Sequence, residues 1–130
     1  MPVTALYAGA LGLWFALLSV RVVLSRVGPE RPGLGDGGNP LMLRVIRGHA
    51  NFAEYVPLVL LLIGVAELGG LSRWALHLLG ATLLLGRLLH GYALSFTQGF
   101  VAGRSVGIVL TLVALVVASG VCLVLGLQGL

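Results

Sequence analysis

Four apolar runs, each about as long as a bilayer is thick, limit how this chain folds. A helix needs roughly 20 apolar residues to cross a bilayer, and the 130-residue sequence supplies four such runs. Between the first two lies a stretch rich in Gly, Pro and Asp, about residues 27–40, which we predict to be a loop. We expect membrane-spanning helices over about residues 3–25, 42–68, 72–96 and 103–127.

The composition agrees with a protein that lives in lipid. Hydrophobic residues make up 58% of the chain and charged residues 9%, whereas a soluble domain has about 25% charged residues. The net charge of +4 comes wholly from arginine, since the sequence contains no lysine. Most of the arginines lie at the ends of the apolar runs, where membrane topology explains them. We therefore expect no nucleic-acid partner.

The spacing of the runs predicts the architecture. The connection between the second and third runs is so short that these two helices must be antiparallel neighbours, with Ser72 as the N-cap of the third. Gly99, Gly103 and Gly107 are four residues apart, a spacing that suits close helix packing or an oligomer contact. The fold class is predicted to be all-α, an integral membrane four-helix transmembrane bundle forming a single domain over residues 1–130. No basic residues precede the first run, so we expect it to be kept as a span.

The arginines also predict an orientation. The end of the bundle that holds loops 1–2 and 3–4 is rich in arginine, whereas the opposite end holds only Arg73. The arginine-rich end carries Arg26, Arg31, Arg44, Arg47 and Arg104. By the positive-inside rule, these two loops are cytoplasmic and both termini are outside. The arginine-only, Ala/Gly/Leu/Val-rich composition is typical of a GC-rich bacterial genome, so we expect the inner membrane of a bacterium.

Polar residues in the second span form a candidate functional site. Arg44, Arg47, Asn51 and Glu54 are spaced by three, four and three residues, which places them on one helix face. Ionisable side chains within a span are costly, so such a cluster is a functional-site hypothesis by default. The other spans place further polar residues at similar depth: Arg21, Arg87, His90, Arg104 and Ser105.

These residue types suit a small polyanion that also carries one ammonium group. Arginine binds carboxylates through two parallel charge-assisted hydrogen bonds, Glu54 suits an amine and Asn51 suits a peptide group. Glutathione has this complement, with two carboxylates, one ammonium, two peptide bonds and a thiol. Its reactive form is the thiolate, which Arg104, Ser105 and the start of the fourth helix are placed to stabilise.

A purely structural network is the alternative that these residues leave open. In that case Arg47 and Glu54 neutralise Arg87 or each other, and His49 pairs with His90. We expect no metal site, because two histidines are a poor ligand set and the single Cys122 lies in an apolar run. His77 is expected to be a packing residue, and Glu67 is expected to be solvated at the outer boundary.

The segment "RVIRGHANFAEYVP" at residues 44–57 resembles the second-helix signature of the MAPEG family, the membrane-associated proteins in eicosanoid and glutathione metabolism. That signature is an Arg, three residues, an Asn, two residues, a Glu, an aromatic residue and a Pro shortly after. The segments "LLGRLLHGYALSF" and "GRSVG" resemble the family's third helix and the start of its fourth. The matching positions are Arg47, Asn51, Glu54, Tyr55, Pro57, Arg87, His90, Arg104 and Ser105.

The resemblance implies a homotrimer that binds glutathione between neighbouring subunits near the cytoplasmic side. Arg104 or Ser105 would stabilise the thiolate, and Arg21, with Arg26 as the alternative, would take the place of the family's first-helix arginine. The residues expected to hold glutathione are Arg21, Arg47, His49, Asn51, Glu54, Tyr55, Arg87 and His90.

The implied function is that of a glutathione-dependent transferase or peroxidase that acts on lipophilic electrophiles or hydroperoxides arriving through the membrane lipid. The eicosanoid branches carry a Tyr seven residues after the third-helix Arg, where this chain has Leu94. An eicosanoid substrate is therefore not expected, and the chain is most similar to the small bacterial members. The alternatives are a non-catalytic binding or scaffold protein and a small transporter; against the latter, no inverted repeat is implied.

Overall fold

The computed structural model describes residues 1–28 and 33–129, which fold into four long helices. They are α1 (Pro2–Ser25), α2 (Pro40–Leu68), α3 (Arg73–Ser95) and α4 (Val101–Gln128). Each is long and apolar enough to cross a membrane. The prediction of an all-α, four-helix membrane bundle is confirmed.

Local capping sets the helix starts. α2 begins at Pro40, two residues before the predicted start, because the Asn39 side chain accepts hydrogen bonds from the N–H groups of Leu41 and Met42. Ser72 caps α3 as predicted, by accepting from the N–H of Ala75. The described parts of the predicted loop, residues 27–28 and 33–39, contain no helix, and Arg31 lies outside the described residues.

α3 is the centre of the bundle. Both α2 and α3 pack against all three other helices, α3 most extensively, whereas α1 and α4 do not contact each other within the described ranges. The apolar core lies in the middle of the spans, where each helix contributes buried side chains. These include Leu11, Leu18, Val59, Ile63, Leu76, Leu83, Ala114 and Ala118.

Glycines let the other helices approach α3 closely. Gly86 of α3 lies against Gly107 of α4, and a Cβ atom at Gly107 would come within 2.6 Å of the Gly86 carbonyl oxygen. On the other side of α3, Gly80 lies under the ring of Tyr7. Of the three glycines spaced four apart, Gly107 is thus a packing position, while a Cβ at Gly99 would meet nothing within 4 Å.

Glu67, which was expected to be solvated at the outer boundary, is partly exposed and also has partners in α1. Its carboxylate accepts hydrogen bonds from the N–H groups of Val3 (3.0 Å) and Thr4 (2.8 Å) and from the Thr4 hydroxyl (2.6 Å). The first N–H groups of a helix have no partner within the helix, so Glu67 satisfies donors of α1 that apolar surroundings would leave unpaired. The end of α2 thereby holds the start of α1.

His77 lies at the same end of the bundle and has a polar partner. The Tyr7 hydroxyl is 3.2 Å from its Nδ1 atom, and the two rings meet edge to face. This contact joins α1 to α3, which agrees with the packing role predicted for His77.

Candidate functional site

A polar cleft opens between α2, α3 and α4 at the arginine-rich end of the bundle. It has a volume of about 350 Å³. A second recess of about 210 Å³ lies beside the start of α4 and shares part of its wall with the cleft. The two share Arg44, Leu94 and Arg104. The larger cleft is lined by Leu43, Arg44, Arg47, Asn51, His90, Leu94 and Arg104.

Arg47 and Glu54 project from the open face of α2. Both side chains are exposed, and in the described parts of the chain neither forms an ion pair with the other or with Arg87. The carboxylate of Glu54 has one weak neighbour, the Asn51 amide nitrogen at 3.5 Å. The charge pairing of the structural-network alternative is therefore absent from the described chain; Arg47 lines the cleft, and Glu54 is exposed outside it.

Arg87 is buried behind the cleft and does not line it. Its side chain is 1% exposed, and its Nη1 donates to the Asn51 side-chain oxygen at 2.9 Å. Its Nη2 points at the Gly107 carbonyl oxygen, and its guanidinium carbon lies 5.8 Å from the centre of the Tyr55 ring. Arg87 therefore ties α3 to both α2 and α4.

The contact with Arg87 also sets the direction of the Asn51 amide. A guanidinium only donates hydrogen bonds, so the Asn51 oxygen must face Arg87 and its NH₂ group must face away. The NH₂ group is then oriented as a donor on the side of Glu54. Within one chain, Arg87 thus acts on the cleft through Asn51.

His90 is held by the start of α4. Its Nδ1 lies 3.0 Å from the Arg104 carbonyl oxygen, which can only accept, so Nδ1 carries the hydrogen. In the neutral ring the other nitrogen, Nε2, then carries a lone pair. The His90 side chain is 7% exposed and forms part of the cleft wall.

Arg104 and Ser105 follow each other on the first turns of α4, and both are exposed. The Arg104 side chain lines both the larger cleft and the smaller recess. Ser105 lines neither of them and lies on the neighbouring outer surface. Of the two residues predicted to stabilise a thiolate, a single chain therefore brings only Arg104 to the cleft.

Two other predicted ligands face α1 or the end of α3. His49 stacks on the Phe15 ring at 4.6 Å between ring centres and lies 3.1 Å from the Ser19 hydroxyl. The Nε of Arg21 donates to the Ser95 carbonyl oxygen at 3.2 Å. The suggested pairing of His49 with His90 is wrong, because the two histidines point to different neighbouring helices.

Arg44, which the sequence places on the same helix face as Arg47, also holds the end of α3. Its guanidinium donates to the carbonyl oxygens of Ala93, at 2.8 Å, and of Thr97. It thus binds carbonyl groups at and just beyond the end of α3, where the Ala93 carbonyl also accepts from the Thr97 hydroxyl at 2.9 Å, and it lines the cleft as well. Its position one turn before Arg47 on the same helix face was the available signal.

The cleft has the chemistry of an anion site with one base. Three guanidinium groups supply positive charge, the Asn51 amide supplies neutral donors, and His90 supplies the one neutral nitrogen that can accept a proton. Leu43 and Leu94 complete a partly apolar wall. The arrangement suits a small anionic ligand whose reaction includes a proton transfer.

Comparison with known proteins gives two findings. A family model described as the MAPEG family matches residues 4–124. Two curated relatives, both called "Inner membrane protein YecN" and found in Escherichia coli K12 and Escherichia coli O6:H1, are each 39% identical over 90 residues. The match covers 69% of this chain and 68% of each relative. No solved structure matches the chain significantly.

Proposed function

The chain belongs to the MAPEG family, and on that premise we propose that it is a glutathione-dependent transferase or peroxidase of the bacterial inner membrane. The observation that carries the proposal is the cleft, which combines three arginines, an oriented asparagine and a histidine with the family's second-helix motif. Its substrates are glutathione and a lipophilic electrophile or hydroperoxide from the bilayer.

The cleft and the adjoining face of α2 match glutathione group by group. Arg44, Arg47 and Arg104 supply charged donors for the two carboxylates. The NH₂ group of Asn51 is directed to donate to a peptide carbonyl, and the exposed carboxylate of Glu54 is available for the ammonium. The combination of acceptor and donors is more selective than an arginine cluster alone.

We propose further that the protein acts as a homotrimer. Glu54 is the fifteenth of the 29 residues of α2, so it lies halfway along the span. A carboxylate facing lipid at that depth costs about 2.5–3.5 kcal/mol on insertion scales, so the face needs a cover. A neighbouring subunit would cover it, and the first helix of that neighbour would bring Arg21 or Arg26 to the ligand.

The chemistry follows from the nucleophile. Glutathione thiolate displaces a leaving group from an electrophile and forms a thioether, or it reduces a hydroperoxide to an alcohol while two glutathione molecules become a disulfide. A site that reaches from the arginine-rich end of the bundle to the middle of the span brings a water-soluble thiol to an apolar substrate, and holding both together lowers the entropic part of the barrier.

The direct test is glutathione conjugation of a chlorodinitrobenzene-type substrate, or reduction of an apolar hydroperoxide, by the protein purified in detergent. We expect saturable activity that depends on glutathione. Glutathione binding without turnover on either substrate class would favour the non-catalytic binding or scaffold protein. Absence of glutathione binding would refute the proposal.

Arg47→Ala and Glu54→Ala should each weaken glutathione binding while the oligomer stays assembled. Each removes a charged group that would pair with an opposite charge of the ligand, so we expect a loss of about 1.5–3 kcal/mol in affinity. Isothermal titration measures the loss, and Arg73→Ala at the opposite end of the bundle is the control. Normal affinity in both variants would place the ligand elsewhere.

The orientation is tested by labelling single cysteines in intact cells. Leu34, in loop 1–2, and Trp74, at the opposite end, are 92% and 87% exposed and are suitable positions. With Cys122 replaced by Ala, a membrane-impermeant thiol reagent should label the cysteine at position 74 and should reach the one at position 34 only after the cells are opened. Labelling in the reverse order would invert the topology.

A further inference from the structure

The proposed reaction requires a place for the thiol proton, and the lining of the cleft offers one candidate. The three arginines are always charged and have no lone pair to offer, and the Asn51 amide is not basic. The two leucines are apolar. Among the described residues that line the cleft, His90 is therefore the side chain that can accept a proton at neutral pH.

The geometry of His90 presents the accepting atom. Its Nδ1 donates to the Arg104 carbonyl oxygen at 3.0 Å, which fixes the tautomer and leaves the lone pair on Nε2. Nε2 forms no hydrogen bond with any described residue. It is not fully enclosed either, because the enclosed side-chain atoms without a partner are the Arg87 Nε and the Ser95 Oγ. His90 lines the cleft, and Nε2 is its ring nitrogen without a hydrogen-bond partner among the described residues.

We propose that Nε2 of His90 accepts the proton of the glutathione thiol, an inference that rests on the proposed function. The S–H bond breaks, its electron pair stays on sulfur, and an N–H bond forms on the imidazole. The sulfur pair then forms the bond to the electrophilic carbon, and the leaving group departs with the electron pair of its own bond. The imidazolium finally gives its proton to water.

The charges around His90 favour this sequence of events. Arg44 and Arg47 face the cleft from α2, Arg104 faces it from α4, and Arg87 lies three residues before His90 on α3. A further positive charge beside these four arginines is unfavourable until an anion arrives. The thiolate is that anion, so the ring should become charged at the step that creates the thiolate. Glu54, the carboxylate on the neighbouring face of α2, does not line the cleft.

The test compares the number of protons released to the solution with the amount of thiolate formed. Glutathione is mixed with the protein in weakly buffered solution, the thiolate is measured by its ultraviolet absorbance, and released protons are measured with an indicator dye. In the unmodified protein we expect thiolate to form with much less than one proton released, because the proton stays on His90. In His90→Gln, which keeps an N–H donor for the Arg104 carbonyl, each thiolate that forms should release one proton. His77→Gln, at the other end of the bundle, should behave as the unmodified protein does.

The unmodified protein alone can overturn the proposal, so a variant that fails to fold does not block the test. Release of one proton per thiolate from the unmodified protein would overturn the role of His90 and leave the proposed function intact. Equally low proton release from His90→Gln would also overturn it. Glutathione that binds but stays a thiol would count against the transferase chemistry itself, and with it against this role.

Discussion

Gly107→Ala should push α4 away from α3 and destabilise the bundle by about 1–3 kcal/mol, the usual cost of overpacking a well-packed contact. The new Cβ atom would lie 2.6 Å from the Gly86 carbonyl oxygen and 2.7 Å from the His90 backbone nitrogen. Both neighbours belong to the α3 backbone and have no rotamer to change. The helices must therefore separate, and the contact between His90 and the Arg104 carbonyl should be lost with the packing.

Gly120→Ala is the matched control for this substitution. Gly120 lies in the same helix, and a Cβ atom there would meet nothing within 4 Å. Both variants gain the same helix propensity, so the difference between their unfolding midpoints in detergent isolates the contact with α3. Equal stability of the two variants would show that α3 and α4 do not approach each other as closely as described.

Arg104→Ala should lower turnover more than it lowers glutathione affinity. A cation beside the sulfur stabilises the thiolate, whose charge the bound thiol lacks until it ionises, so its removal acts mainly on the ionised state. Loss of one preorganised donor of this kind typically costs about 10²–10³ in kcat. The ultraviolet titration of bound glutathione should also move to higher pH in this variant.

Ser105→Ala tests the rival assignment, in which the hydroxyl donates to the sulfur and Arg104 holds a carboxylate. In that case Ser105→Ala should shift the titration, and Arg104→Ala should mainly weaken binding. Because Ser105 lies on the outer surface beside the cleft, a large effect at this position would also indicate that the ligand extends beyond the cleft, toward the proposed neighbouring subunit.

The sequence was sufficient for the four helices, because runs of apolar residues and capping residues such as Ser72 are local signals. It was also sufficient to bring Arg47, Asn51 and Glu54 to one face of α2, since their spacing follows the helical period. Which helix each polar residue faces depends on packing between spans, and periodicity does not encode that. His49 therefore faces α1, and Arg87 lies behind Asn51, although both were expected to hold the ligand.

The hydrogen bonds of the Glu67 carboxylate could not be predicted from the sequence around it. Nothing near it in the sequence suggests a partner, because the groups it binds, the backbone of Val3 and Thr4, lie more than sixty residues earlier. Arg44 is similar, since it binds carbonyl groups at and just beyond the end of α3, about fifty residues later. Long-range caps of this type become visible only when the helix ends are placed in space.

The contact of Glu67 with the start of α1 has a consequence for how the protein is made. α1 leaves the ribosome first, but the residue that satisfies its leading N–H groups is the second last of α2. Until α2 has been synthesised and has crossed the bilayer in the opposite direction, the leading end of α1 must keep its hydrogen bonds to water. The first two helices thus complete each other as a hairpin, and we expect the leading end of α1 to be anchored only after α2 has been inserted.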